Sequence, residues 1–291
     1  MEKFKGIFPA LVTPYDENGE MNEKSLRKIV QLNIDRGVTG FYINGSTAET
    51  FVLNMEERKR LIDIVADEVK GRSTLIYHVG NISTGDAIEL AKYGEKVGVD
   101  AISAIPPFYY KFSFEEIKEY YQDILNSVNL PMIVYNFPAN SGVQFSLDHF
   151  KELLSDDRII GIKHTSMNLY DLERLQYETG KFLLNGHDEV FLGGLNMGAI
   201  GAVGSTYNLM ADKFVKIYQL FQEGSLEEAF AIQREANNVI DAFIKVGVNQ
   251  GIKYGLEKMG IECNGCRKPF KGLSADEKVL LDRVLVENHV I

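Results

Sequence analysis

The chain has 291 residues, 45% hydrophobic and 25% charged, with glycine spread along its length rather than clustered. That composition supports a large folded core and excludes a low-complexity or disordered protein. Acidic residues outnumber basic ones 41 to 31, for a formal net charge of −10, and the two signs are interspersed, so there is no basic stripe for nucleic acid or an anionic membrane. No apolar run approaches the roughly 18 residues of a membrane span, and Met1-Glu2-Lys3-Phe4-Lys5 leads into a strand-like segment without an apolar leader. The expectation is a cytoplasmic protein.

From residue 7 onward short β-rich runs alternate with longer amphipathic stretches. The runs fall at 7–13, 40–44, 74–79, 101–105, 132–137, 159–164, 182–185 and 199–203. Eight such runs, each followed by a helical segment, predict an α/β fold of the (β/α)8 TIM barrel type rather than an open doubly wound sheet. Ser113 with Glu116, Ser225 with Glu228 and Ser274 with Glu277 have the spacing of helix-initiating capping boxes. Three further helical stretches, near 225–247, 249–260 and 274–288, exceed what a minimal barrel needs. The expected division is a catalytic barrel over 1–222 and a helical extension over 223–291. No Pro/Gly/Ser-rich linker separates them, so both are expected in one folding unit.

Barrel active sites are built at the C-terminal ends of the strands, so polar residues there carry the most functional weight. After the second run, Ser46 and Thr47 follow Gly45; their hydroxyls and amides suit a carboxylate, or equally the cap of the next helix. Tyr135 in the fifth run places a phenol towards the barrel mouth, either to move a proton or to sit in the core with its hydroxyl satisfied. Lys163 ends an unusually apolar stretch, Ile159-Ile160-Gly161-Ile162-Lys163. Alternation puts Gly161, Lys163 and Thr165 on one face. If that face is the lumen, Lys163 is a desolvated, nucleophilic amine; otherwise it snorkels to water. After the seventh run come Gly186, His187 and the acidic pair Asp188 and Glu189, suited to the hydroxyls of a sugar or to capping.

The five histidines, 78, 149, 164, 187 and 289, contain no H-x-H or H-x-x-x-H spacing. Neither a dinucleotide fingerprint nor a P-loop occurs. The only cysteines, Cys263 and Cys266, form a lone C-x-x-C without the second ligand pair of a zinc site, and are expected to be incidental. No metal and no cofactor are expected, which leaves an amine nucleophile as the obvious candidate.

Three motifs together carry a resemblance: Gly45-Ser46-Thr47-Ala48-Glu49-Thr50, Tyr135-Asn136-Phe137-Pro138-Ala139-Asn140-Ser141-Gly142 and Gly161-Ile162-Lys163-His164-Thr165. The chain resembles the dihydrodipicolinate synthase/N-acetylneuraminate lyase superfamily from about Gly6 to Phe270. The stretches 185–189 and 204–208 resemble the lyase branch. The resemblance implies a homotetrameric barrel that cleaves sialic acid reversibly to pyruvate and an amino sugar, N-acetylmannosamine. By resemblance Lys163 forms the Schiff base, Tyr135 is the acid/base, with either Tyr135 or the substrate carboxylate taking the C4 hydroxyl proton, and Tyr109 reaches from a neighbouring subunit to support Tyr135. Ser46 and Thr47 hold the pyruvate carboxylate, while Thr165, Gly186, Asp188, Glu189 and Ser205 contact the sugar portion. Ala48, His164 and His187 depart from the residues usual in the family, which bears on sugar preference. Asn140 stands where the synthase branch typically carries an arginine, which disfavours a synthase. The competing readings are another pyruvate aldolase acting on a 2-keto-3-deoxy sugar acid, and a catalytically silent keto-acid-binding barrel.

Overall fold

A computed structural model describes residues 1–291. Eight parallel strands form its centre: β1 Gly6–Pro9, β2 Gly40–Ile43, β3 Thr74–His78, β4 Ala101–Ala104, β5 Met132–Asn136, β6 Ile159–His164, β7 Phe182–Asn185 and β8 Gly201–Gly204. Their hydrogen-bonded order runs β1-β8-β7-β6-β5-β4-β3-β2. A parallel bridge from Ala10 to Tyr42 joins the last strand of that series back to the first and closes the barrel. The run expected at 7–13 is shorter as a strand. Past Pro9 the chain keeps that bridge and the bond from Ala10 N to Gly204 O at 2.8 Å, and the Val12 amide donates to the Asn208 side chain, 3.1 Å away, instead of to a neighbouring strand.

The helices are α1 Glu23–Asp35, α2 Met55–Val69, α3 Thr84–Val97, α4 Phe114–Asn126, the single turn α5 Pro138–Ser141, α6 Leu147–Leu153, α7 Leu169–Thr179, α8 Phe191–Asn196, α9 Tyr207–Glu223, α10 Leu226–Val246, α11 Val248–Lys258 and α12 Ala275–Glu287. Two of the expected capping boxes close, Ser113 with Glu116 on α4 and Ser274 with Glu277 on α12. The third does not. Ser225 precedes α10 but adopts φ −82°, ψ 60° and makes no side-chain cap bond, because the chain leaves α9 through a tight turn in which the Ser225 amide donates to Leu220 O. Asn54 with Glu57 forms a box on α2 that serine-centred reading overlooked.

Two apolar layers result. A small cluster that includes Phe4, Phe8, Ile76, Ile133, Tyr135, Phe182, Leu184 and Val203 fills the barrel interior. A cluster of 65 buried residues lies between the strands and the surrounding helices. Strand alternation sends one set inward and the next outward, so near-continuous hydrophobic strands are required. On the inner face Gly161 leaves room for Phe182, whose ring would lie 2.5 Å from any Cβ at that position. No helix is long and apolar enough to cross a membrane.

Candidate active site

Lys163 points into the lumen and is only 4% exposed. Its Nζ lies 4.1 Å from the ring centroid of Tyr42 and 3.9 Å from that of Tyr135. Tyr135 is its register partner on β5, and the Tyr42 hydroxyl donates to Ser103 Oγ at 3.0 Å, which in turn donates to Ile133 O at 2.7 Å. Burial among these rings pushes the Lys163 amine down to about 7, with the Asp188 carboxylate opposing the shift. The snorkelling alternative is therefore not what the fold adopts. Near neutral pH a large fraction of Lys163 is the free amine that carbonyl addition requires.

Tyr135 is also buried. It meets Tyr42 edge-on at 5.9 Å and His78 at 5.8 Å, and stacks on Phe137 at 5.8 Å. Burial raises its phenol to about 12, partly offset by the Ser46 and Thr165 hydroxyls. The phenol is thus a proton donor in the free site. His78 is locked beneath it, its Nδ1 donating to Asn44 O at 2.9 Å and its Nε2 accepting from Ile105 N at 3.2 Å. Burial drives its pKa well down, so the ring is neutral and structural.

Ser46 and Thr47 begin a 3-10 turn, Ser46–Ala48, with no side-chain cap bond, while Asn54 caps the next helix. The capping alternative for this pair fails. Thr47 Oγ1 lies 2.6 Å from Ser205 Oγ, joining the turn after β2 to the end of β8. Thr165 follows β6 with its side chain buried. Gly186 packs so closely on it that a Cβ would stand 2.0 Å from Thr165 Oγ1.

Asp188 does not cap the turn it begins. Its Oδ2 accepts from the Thr206 amide at 2.9 Å and the Thr206 hydroxyl at 2.7 Å, in the loop after the adjacent strand β8. Burial raises its carboxyl to about 6 against those two bonds. Burial also acts to raise Glu189, but the bond from His187 and a backbone amide outweigh it and leave this carboxyl below its ordinary value. His187 Nδ1 is 3.3 Å from Glu189 Oε1.

Ser46, Thr47, Tyr135, Lys163, Thr165, Gly186, Asp188, Glu189 and Ser205 all line one open cavity of about 640 Å³. Tyr109 is the exception. It is 83% exposed, with φ +80°, on the loop after β4, and does not reach this cavity in the single chain. An adjoining hollow of about 240 Å³ is lined by Ser46, Phe51, Ile105, Phe108, Asn140 and Phe270. A separate cavity of about 300 Å³, behind β5 and β6, includes Asn136 and His164 but none of the lumen groups.

Sequence reasoning missed the far wall of the main cavity: Ile240, Ile244, Gly247, Val248, Asn249, Gln250 and Phe270. These lie on α10, α11 and the segment beyond, remote from any strand end. The only local signal is Gly247 at φ +105°, which breaks α10 from α11. α10 also supports the acidic turn, since Gln233 Nε2 donates to Asp188 O and Asn237 Nδ2 to Glu189 O, both at 3.0 Å. Cys263 and Cys266 are free thiols, each raised by burial to about 12.

The model of the dihydrodipicolinate synthetase family matches residues 3–288. An N-acetylneuraminate lyase 2 from Escherichia coli O6:H1 is 43% identical over 293 aligned residues, covering 99% of this chain and 96% of that protein. The crystal structure of CdNal from Clostridium difficile in complex with mannosamine superposes with a TM-score of 0.95 at 41% identity, covering 98% of this chain and 99% of the other. That of N-acetylneuraminate lyase from Fusobacterium nucleatum complexed with pyruvate gives 0.93 at 39% identity, covering 98% and 97%. With a lumenal lysine at the C-terminal end of the sixth strand of a closed barrel, and similarity along nearly its whole length, the chain belongs to the dihydrodipicolinate synthetase family.

Proposed function

We propose that this chain is a Schiff-base aldolase that reversibly cleaves N-acetylneuraminate to pyruvate and N-acetylmannosamine. The observation that carries the reading is the buried Lys163 amine, lowered to about 7 and seated between two tyrosine rings at the floor of a cavity lined by hydroxyls and carboxylates.

The Lys163 amine adds to the ketone carbon C2 of the open-chain substrate, whose carboxylate rests on the Ser46-Thr47 turn. Tyr135 gives its proton to the departing hydroxyl, so water leaves, an iminium forms on Lys163, and a phenolate remains beside it. The phenolate takes the C4 hydroxyl proton as the C3–C4 bond breaks. The electron pair of that bond passes into an enamine at C2–C3, and the sugar aldehyde departs. Protonation at C3 by Tyr135 and hydrolysis of the iminium return pyruvate and the free amine. Thr165, Gly186, Asp188, Glu189 and Ser205 hold the sugar portion.

Tyr109 completes the relay from a second copy of the chain, within a homotetramer. Its exposure and left-handed backbone beside an aromatic hollow that opens on Ser46 support this reading.

The test pairs two measurements. Sialic acid and shorter 2-keto-3-deoxy acids are offered for cleavage, and pyruvate is trapped with borohydride followed by peptide mapping. Preferred cleavage of sialic acid and a pyruvate adduct on Lys163 are expected. Preference for a shorter acid would reassign the substrate, and an adduct on another lysine would overturn the mechanism.

A further inference from the structure

Two buried charges lie outside the chemistry just described. Glu49 and Lys253, 204 residues apart in sequence, form an ion pair in which both side chains are wholly shielded from solvent. Glu49 ends the turn that carries Ser46 and Thr47, and Lys253 lies on α11 of the C-terminal helices. The second Glu49 oxygen accepts from the Arg267 amide at 2.8 Å, and Lys253 also donates to Gly265 O at 2.8 Å. The Tyr15 ring covers both cations, 4.2 Å from Lys253 Nζ and 4.6 Å from the Arg267 guanidinium carbon. Arg267 pairs in turn with Glu57 at 2.5 Å.

The turn itself is backbone-strained at both ends. Asn44 has φ +62° and Glu49 φ +60°, a region costly for residues other than glycine and maintained only where surrounding contacts over-determine it. Asn44 is pinned by its side-chain bond to Arg58 O at 3.0 Å and by His78. Glu49 is pinned by Lys253 and the Arg267 amide. Between the pins, Ala48 O accepts from Thr13 Oγ1 at 2.8 Å. Ser46 and Thr47 thus stand on a bridge whose second abutment is supplied by the C-terminal helices.

We propose that Glu49 and Lys253 are positioning residues for substrate carboxylate recognition, holding the Ser46-Thr47 turn at the height where a carboxylate bound there sets the ketone carbon against Lys163. The inference rests on the Schiff-base reading and adds to it a role for the helical extension. Loss of a simple fold-stabilising pair would lower stability without changing how the folded chain discriminates between ketones. A positioning pair acts on ketones that carry a carboxylate.

The test compares Glu49→Gln, Lys253→Met and the double variant, trapping Lys163 with borohydride over a range of pyruvate or acetone, a ketone without a carboxylate. The double variant is included because removing both charges leaves no orphaned buried ion and favours retention of the fold. The expected result is a rise in half-saturating pyruvate of about ten-fold or more, equivalent to ~1.4 kcal/mol, with acetone trapping unchanged. Wild-type half-saturation in a folded variant would overturn the proposal, as would equal loss for both ketones. On the unmutated chain, pyruvate should slow amide exchange at 253–267 as well as at 44–49, because coupling is reciprocal. Protection confined to 44–49 would also overturn it. A wild-type chain that traps neither ketone on Lys163 would instead refute the underlying Schiff-base reading.

Discussion

Lys163 Nζ sits 3.9 Å from the centroid of the Tyr135 ring, and the two residues face each other in register on β6 and β5. Proximity and burial act together in this pair: burial lowers the amine to about 7 and raises the phenol to about 12. A nucleophile that is partly deprotonated and an acid that is fully protonated are the two states imine formation needs at its start.

Adduct formation should follow the Lys163 titration. Since burial lowers this amine to about 7, the trapping rate at low pyruvate should rise roughly ten-fold per pH unit below that value and level off above it. The linked stability has a definite sign. Between pH 7 and the unfolded lysine value of about 10.4, the unfolded chain holds a proton that the folded chain lacks, so stability rises with pH across that window. Lys163→Met removes this dependence. The variant should melt above the wild type at pH 7, with the gain shrinking towards pH 10; thermal denaturation at both ends of the window checks it, and a constant offset would contradict a buried free amine.

Glu189 lines the cavity that holds Lys163 and pairs with His187. Glu189→Ala should cost about 1–3 kcal/mol in kcat/KM for sialic acid, the range for a hydrogen bond to a charged group, while pyruvate trapping persists because pyruvate is too short to reach it. Asn140→Arg, in the same cavity, should favour an aldehyde bearing a carboxylate over the neutral sugar. Retained sialic acid cleavage in Glu189→Ala, or loss of pyruvate trapping with it, would remove Glu189 from the sugar site.

The two tyrosines should separate by mechanism. Tyr135→Phe should lower turnover about a hundred- to ten-thousand-fold, the span of general acid–base catalysis, and leave Lys163 in place. Tyr109→Phe should reduce kcat more than it weakens pyruvate binding. Activity measured against protein concentration, alongside sedimentation, tests whether Tyr109 acts across an interface. A fully active monomer would refute that.

Much of the site was legible along the chain because a barrel converts sequence position into spatial position. Strand alternation put Gly161, Lys163 and Thr165 on one face of β6, and eight counted runs placed Ser46, Tyr135, Lys163 and Asp188 at one end of the barrel. Local signals, such as the apolar stretch before Lys163 and the serine-centred boxes on α4 and α12, have physical causes confined to a few residues. The tertiary structure decided what depends on partners distant in sequence. Whether Lys163 was a snorkelling or a desolvated amine turned on the Tyr42 and Tyr135 rings; whether Asp188 capped its own turn turned on Thr206, whose amide and hydroxyl it accepts instead. The cavity wall at Asn249 and Gln250, and the Glu49–Lys253 pair, were hidden for the same reason. Periodicity reports which face of a helix is apolar, but the choice of what that face covers is made by packing energy summed over the whole chain.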